Sequence, residues 1–260
     1  MSGIVVITTK GGAKRDFVNI LQEETGGAIA LAVLQNVRKK SLFKRILSFY
    51  KKVGFLGIIP EIYYFLAVKL SPSKKYALAV LSTRSAVLGK DQEYLTKTIE
   101  TDNVNEDLIY EHIKKINPDI IVIWGGYILK PRLLEVSRFA VNMHSGYVPY
   151  YRGVNGVEQA ILNDDLEHIG ISVHYAVTKV DAGGVIDIVT TNHQNSPEKF
   201  FKTLNDLATR RYIDIIKEIL KNGKIQSKPQ DTSNGRLYLL KDWTYKKQYT
   251  LAKKILNHVF

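Results

Sequence analysis

Changes in the period of its apolar positions punctuate this chain. Residues 4–8 form a continuous apolar run, residues 14–24 carry apolar positions at helical spacing, and residues 28–34 return to a run, with Gly11-Gly12 and Gly26-Gly27 between them. The pattern predicts strand, helix, strand, the opening of an α/β sheet. The alternation resumes with a strand over 76–81, a helix capped by Asn105 and running to Ile116, and a buried strand over 119–124. A short helix from Pro131, a strand over 139–143 and a helix near 154–162 follow. Ile171, Val173, Tyr175 and Val177 then alternate with Ser172, His174 and Ala176, which predicts a half-buried strand, and residues 185–191 read as its partner. Ser196-Pro197-Glu198 supplies a cap, a first-turn proline and a first-turn acid, so a helix starts there and ends at Asn222-Gly223. Its core stripe is Phe201, Leu204, Ala208, Tyr212, Ile215 and Ile219.

Residues 41–70 interrupt this rhythm, since an α/β crossover normally needs only a short loop before its next element. Leu42, Phe43, Ile46, Leu47 and Tyr50 fall on one helical face and Lys44, Arg45, Ser48, Lys51 and Lys52 on the other, an amphipathic basic helix. The run over 53–70 is apolar enough to suggest a membrane span, but Pro60-Glu61 stand at its centre and Lys69 near its end. Burying Glu61 in lipid is expensive. A helical insertion packed on the sheet or on a second subunit is expected instead, with peripheral membrane contact through the basic face left open. Residues 1–223 are expected to form the main domain, insertion included, and residues 224–260 a short C-terminal extension in which Trp243 stacks a base or pins the tail.

Composition narrows the picture. With 45% hydrophobic and 24% charged residues in a chain of 260, a full core is available and disorder is excluded. Cysteine is absent, which removes disulfides, thiolate nucleophiles and Cys-ligated metals and suits a cytoplasmic location. The N-terminus runs straight into a strand-like segment, so no signal peptide is expected. The formal charge of +12, from 37 Lys and Arg against 25 Asp and Glu, favours anionic partners and is spread along the chain.

The chemistry concentrates around residues 141–149, Val-Asn-Met-His-Ser-Gly-Tyr-Val-Pro, where a strand gives way to a loop. Open α/β sheets bind ligands at such strand ends. Asn142 and His144 are two apart, so on extended backbone they point to the same side. Further along, Asp181 precedes Ala182, Gly183 and Gly184; the glycines permit close backbone approach to a ligand, and the acid can orient and charge a histidine. Singly, an Asn or His at a strand end is more often a turn or cap residue than a catalyst.

Together these motifs resemble the folate-dependent formyltransferases. The resemblance rests on Asn142-x-His144 with Pro149 and Tyr151-Arg152-Gly153, on the Asp181-x-Gly183-Gly184 loop, and on the upstream Gly125-Gly126-Tyr127-Ile128-Leu129, and it covers roughly residues 75–220. It implies a Rossmann-like sheet flanked by helices and N10-formyltetrahydrofolate as co-substrate, with no metal required. It also implies that Asn142, His144 and Asp181 are the catalytic trio. An attacking amine would meet a formyl group whose oxygen is held by Asn142 and a protonated His144, while Asp181 favours the charged imidazole and helps remove the amine proton. Gly125, Gly126, Tyr127, Ile128 and Leu129 would bind the pterin, Ala182, Gly183 and Gly184 would close the same pocket, and Tyr151, Arg152 and Gly153 would contact the acceptor. His174 matches a histidine of this family strand and is expected to be structural. His112, His168, His193 and His258 are expected at the surface or in packing, and Trp124 in the core.

Three acceptors are open to such an enzyme. Glycinamide ribonucleotide is disfavoured because Thr8-Thr9-Lys10-Gly11-Gly12-Ala13-Lys14 departs from the family's phosphate loop, and methionyl-tRNA because only residues 224–260 follow Gly223. A GDP- or dTDP-linked 4-amino-4,6-dideoxy sugar, formylated for O-antigen, lipopolysaccharide or another surface polysaccharide, is expected, in a cytoplasmic homodimer that binds neither nucleic acid nor, by a span, the membrane. The contrasting expectation is a non-catalytic folate-binding or membrane-associated scaffold.

Overall fold

A computed structural model describes residues 3–36, 42–85, 93–192 and 194–257; inside the helix at 42–69 the side chains of 42–49, 51–53 and 55 are outside the described set. The basic face expected over 42–52, and the roles expected for His193 and His258, lie outside the described residues. In chain order the elements are β1 (Ile4–Thr9), α1 (Gly12–Glu24), β2 (Ile29–Gln35), α2 (Leu42–Lys69), α3 (Pro72–Ala79), β3 (Thr98–Thr101), α4 (Asp107–Ile116), β4 (Ile120–Trp124) and α5 (Pro131–Leu134). They continue with β5 (Phe139–His144), β6 (Tyr151–Gly153), α6 (Gly156–Leu162), β7 (Ile171–Tyr175), β8 (Val185–Val189), α7 (Pro197–Asn222), β9 (Arg236–Tyr238) and α8 (Tyr245–Asn257).

Seven strands form one sheet in the order β3-β2-β1-β4-β5-β7-β8, and β6 pairs with β9 in a separate two-stranded ribbon. The first five are parallel to their neighbours, while β7 and β8 run antiparallel. The continuous apolar runs are explained by cover on both faces. In β1, Ile4 and Val6 face one core with α1 and α7, and Val5 and Ile7 face a second core with α4 and α5. This is the Rossmann-like architecture expected, with strand order reversing at β1.

The long helix α7 behaves as its sequence foretells. Ser196 Oγ accepts from Lys199 N at 3.2 Å, Gly223 takes the left-handed C-terminal position, and all six stripe residues are buried. Its Tyr212 hydroxyl reaches Val141 O at 2.8 Å and Ile123 O at 2.9 Å and accepts from Ile123 N at 3.0 Å, so one buried phenol fastens β4 to β5 just below Asn142.

Four expectations need correction. Residues 76–81 are helical, in α3 and a following 3-10 turn. Ser71 caps α3 and Pro72 occupies its first turn, the same signal that opens α7. The strand at Thr98–Thr101 was missed because it is a polar edge strand, half exposed beside β2. Asn105 does not cap α4. Its amide donates to Ile128 O at 2.9 Å and its Oδ1 accepts from Lys130 N at 2.7 Å, clamping the loop after β4. Finally, β7 is buried on both sides, because its polar positions Ser172 and His174 serve the loop and site described below rather than solvent.

The insertion expected over 41–70 contains α2, Leu42–Lys69, broken at Gly54, where φ 69 and ψ −177 are non-helical. No helix among the described residues is long and apolar enough to cross a membrane. Glu61, the charge that counted against a span, meets the N-terminus of α8 and accepts from Tyr245 N at 2.7 Å, an anion at the positive end of a helix. The C-terminal segment joins the main core: α8 packs on α2, α3 and α6, with Leu251, Ala252 and Ile255 buried, and Trp243 packs against the same cluster.

Candidate active site

Asn142 and His144 end β5, and the antiparallel register sets Asn142 directly opposite His174 on β7. Asp181 follows in the β7–β8 connection, with φ 46 in the left-handed region that Asp and Asn tolerate better than most residues. The three expected residues converge. Asp181 Oδ2 lies 3.4 Å from His144 Nδ1 and accepts from Gly153 N at 2.8 Å, and Asn142 Nδ2 donates to Asp181 Oδ1 at 3.4 Å. The structure adds a fourth member, His174, whose Nε2 sits 3.2 Å from Asn142 Nδ2 and 3.4 Å from Asp181 Oδ1. Its Nδ1 lies 2.8 Å from Tyr175 O, which makes Nδ1 the donor and leaves Nε2 to accept the Asn142 amide. Sequence reading set His174 aside because only the cross-strand register brings it to Asn142.

The electrostatics separate the charges. Burial by itself raises the Asp181 carboxyl, but His144, His174 and the Gly153 N–H overturn that and hold it at about 2. His144 is pushed below the usual histidine range, since burial outweighs the pull of Asp181 and of the Tyr151 carbonyl. Asp181 therefore titrates at acid pH, while burial disfavours the charged form of His144. Its Nε2 donates to Tyr151 O at 2.8 Å, and its Nδ1 faces Asp181.

The loop after β4 flanks this cluster, because Ile123 pairs with Asn142. Gly125, Gly126, Tyr127 and Ile128 are exposed there, while Leu129 turns into the core with α4. Gln35 holds the loop by accepting from Tyr127 N at 2.9 Å, and a Cβ on Gly126, at φ 105, would lie 2.8 Å from that same Oε1. Ala182 is partly buried at the turn. Gly183 and Gly184 permit close approach, but to the protein itself: added Cβ atoms would collide with Tyr175 O and with Ser227 Oγ. Tyr151 is turned inward, its hydroxyl donating to Asp165 Oδ2 at 2.8 Å. Arg152 is 6% exposed; its Nη1 reaches Val180 O at 3.5 Å and its Nε has no acceptor. Gly153 is enforced by the C-terminal ribbon, since at φ 91 a Cβ would strike Tyr238 O. His168 pairs with Asp165 at 2.8 Å, and Trp124 is buried, as expected.

At the end of β1 the Lys14 ammonium lies 3.5 Å from the centre of the Trp124 ring and donates to Trp124 O at 3.0 Å. Burial, with help from the Arg84 charge, lowers it to about 6. The folded protein therefore holds fewer protons than the unfolded chain between about 6 and 10.5, and stability rises with pH across that window. Lys14→Met, which keeps the stem and removes the charge, should stabilise the fold by roughly 4 kcal/mol at pH 7, with the gain falling below about 1 kcal/mol near pH 10. Urea unfolding at several pH values measures this; a variant less stable than wild type at pH 7 contradicts it.

Comparison with known proteins places this geometry. Residues 71–216, more than half of the chain, match the family described as Formyl transferase. A methionyl-tRNA formyltransferase from Fusobacterium nucleatum is 28% identical over 169 residues, 63% of this chain and 49% of that protein. The chain thus spans about half the length of this curated relative, and similar shares of others that it matches. Among solved structures, a phosphoribosylglycinamide formyltransferase from Anaplasma phagocytophilum superposes with a TM-score of 0.55 at 15% identity, covering 92% of this chain and 100% of that one. A sugar N-formyltransferase from a Shewanella species gives 0.54 at 13% identity, covering 99% and 89%. At such identities the structures speak for the fold alone, and one fold here carries three named acceptor classes.

Proposed function

The chain belongs to the formyl transferase family, and from that premise we propose that it moves the formyl group of N10-formyltetrahydrofolate onto the amine of a nucleotide-linked 4-amino-4,6-dideoxy sugar. The observation that carries the transfer chemistry is the convergence of Asn142, His144, His174 and Asp181 at the end of β5, beside the exposed loop after β4. Main-chain groups at Gly125 and Gly126, exposed and fixed through Gln35 and Asn105, suit the edge of a flat heterocycle such as a pterin. The bound folate supplies the formyl carbon and the leaving amine. Asn142 gives an amide N–H to the formyl oxygen as negative charge grows there, exchanging its long contact with Asp181 for a stronger one. Ionised Asp181 draws the proton from the attacking amine, directly or through a water, and shares it with the Nδ1 of neutral His144. The imidazolium so formed has an acceptor at each nitrogen, Tyr151 O and Asp181, and it returns the proton to the departing folate amine as that amine's bond to the formyl carbon breaks. His174, fixed by Tyr175 O, keeps the Asn142 amide turned toward the reaction.

The sugar acceptor is supported by Arg152, whose buried guanidinium bonds Val180 O through Nη1 but leaves its Nε without an acceptor, which a diphosphate would provide. The names of the curated relatives favour charged initiator tRNA as the second reading. A panel of GDP-, dTDP- and UDP-linked 4-amino sugars, glycinamide ribonucleotide and methionyl-tRNA, each offered with the formyl donor, decides between them. The amino sugars should be formylated, and Arg152→Ala should raise the acceptor KM more than the folate KM, because a contact remote from the formyl carbon mainly supplies binding. Efficient formylation of tRNA with every sugar ignored overturns the acceptor and leaves the chemistry standing.

A further inference from the structure

The outer face of α2 carries a stripe of exposed apolar side chains for which the protomer has no use. Leu56, Ile59, Tyr63, Leu66 and Leu70 are spaced by three, four, three and four residues, with Ile62 beside them, and Leu56, Tyr63 and Leu70 are 81%, 61% and 74% exposed. The other side of the same helix is occupied: Phe65 and Tyr64 pack on Tyr245 and Tyr249 of α8, and Val68 is buried. Glu61, the one charge between Leu56 and Val68, is on that inner side, held by α8. The stripe is therefore free of charge and turned away from the body.

We propose that this stripe is the dimer interface, with α2 of a second copy of the chain packed antiparallel against it about a two-fold axis through Tyr63. The three–four spacing is that of a narrow helix–helix seam, in which side chains of one helix enter the gaps of another at a shallow angle. It is also self-complementary. Run antiparallel, Leu56 meets the partner's Leu70, Ile59 meets the partner's Leu66, and Tyr63 meets the partner's Tyr63, which is the condition a two-fold interface imposes. The six side chains present on the order of 700 Å², close to the ~800 Å² that each partner of a stable interface buries. The alternative occupant, a lipid surface, calls for Lys or Arg beside the apolar face, whereas the one basic residue within 56–70, Lys69, lies over the Phe65 ring on the inner side, 5.3 Å from its centroid. This inference is independent of the acceptor and of the transfer chemistry.

Because the chain has no cysteine, one introduced thiol reports a single contact. Tyr63→Cys should give an inter-chain disulfide in high yield under mild oxidation, whereas Leu108→Cys, an exposed position on α4 across the sheet, should not. Sedimentation of the full chain at micromolar concentration should show a dimer, and the double variant Leu56→Glu/Leu66→Glu a folded monomer by circular dichroism. If the double variant fails to fold, the cross-link decides alone. A monomeric wild type, a dimer that survives the double substitution, equal cross-linking at the two positions, or a monomer that binds phosphatidylglycerol vesicles through this face overturns the proposal.

Discussion

Asp181→Asn should lower turnover by about a thousandfold while leaving the fold in place. The substitution is near-isosteric, and Asn accepts the left-handed backbone at φ 46 that this position requires, so backbone strain does not confound the result. An amide oxygen can still accept from Gly153 N. What is lost is the negative charge next to His144 and His174 and, in the proposed mechanism, the group that takes the amine proton. Proton transfer by a placed side chain contributes roughly 10²–10⁴-fold, and the charge also prepares the imidazole to share the proton. The same carboxylate makes a stability signature. Its folded value of about 2 lies below the 3.8 of the unfolded chain, so its contribution is present above pH 3.8 and is lost as pH falls toward 2. The difference corresponds to about 2 kcal/mol. Wild type should exceed Asp181→Asn in urea stability at pH 6, and the gap should close at pH 2. Turnover within a few-fold of wild type in the Asn variant would remove Asp181 from the proton path.

Asn142→Ala should cost roughly 10²–10³ in kcat with little change in either KM, since its amide N–H bonds more strongly to the oxygen as charge develops than to the neutral formyl group. The residue is set at the end of β5, its neighbour Val141 is tied down by Tyr212, and its amide is oriented by His174. Truncation removes the donor without disturbing the ladder bonds of β5, which belong to the backbone. Parallel loss of kcat and kcat/KM is the pattern to look for. A rise in the folate KM with kcat unchanged would make Asn142 a binding residue instead.

The proposed transfer site depends on the tail as much as on the strand that bears its motif. Gly153 N donates to Asp181, and β6 is held by pairing with β9, whose Tyr238 O abuts Gly153. In the sequence this tail reads as an extension; in the fold it stands behind Asp181.

The sequence by itself determined what is written in short-range chemistry. Buried parallel strands announce themselves as apolar runs, Ser196-Pro197 and Gly223 bound α7, and Asn142 and His144 are two apart on a strand end, so their shared side follows from the pleat alone. Tertiary structure decided everything that depends on a partner distant along the chain. His174 joins the site through the β5–β7 register, Asn105 leaves its helix to clamp residues 128–130, and Glu61 caps α8. The polar edge strand at Thr98–Thr101 exists because β2 offers it a ladder, not because its residues favour one. The electrostatics of His144 arise the same way: residue type allows either charge, and enclosure by β5, β6 and the β7–β8 turn disfavours the imidazolium. Local backbone preferences act over a few residues and can be read in order, whereas register, burial and the destination of a polar side chain are fixed only when the chain closes on itself.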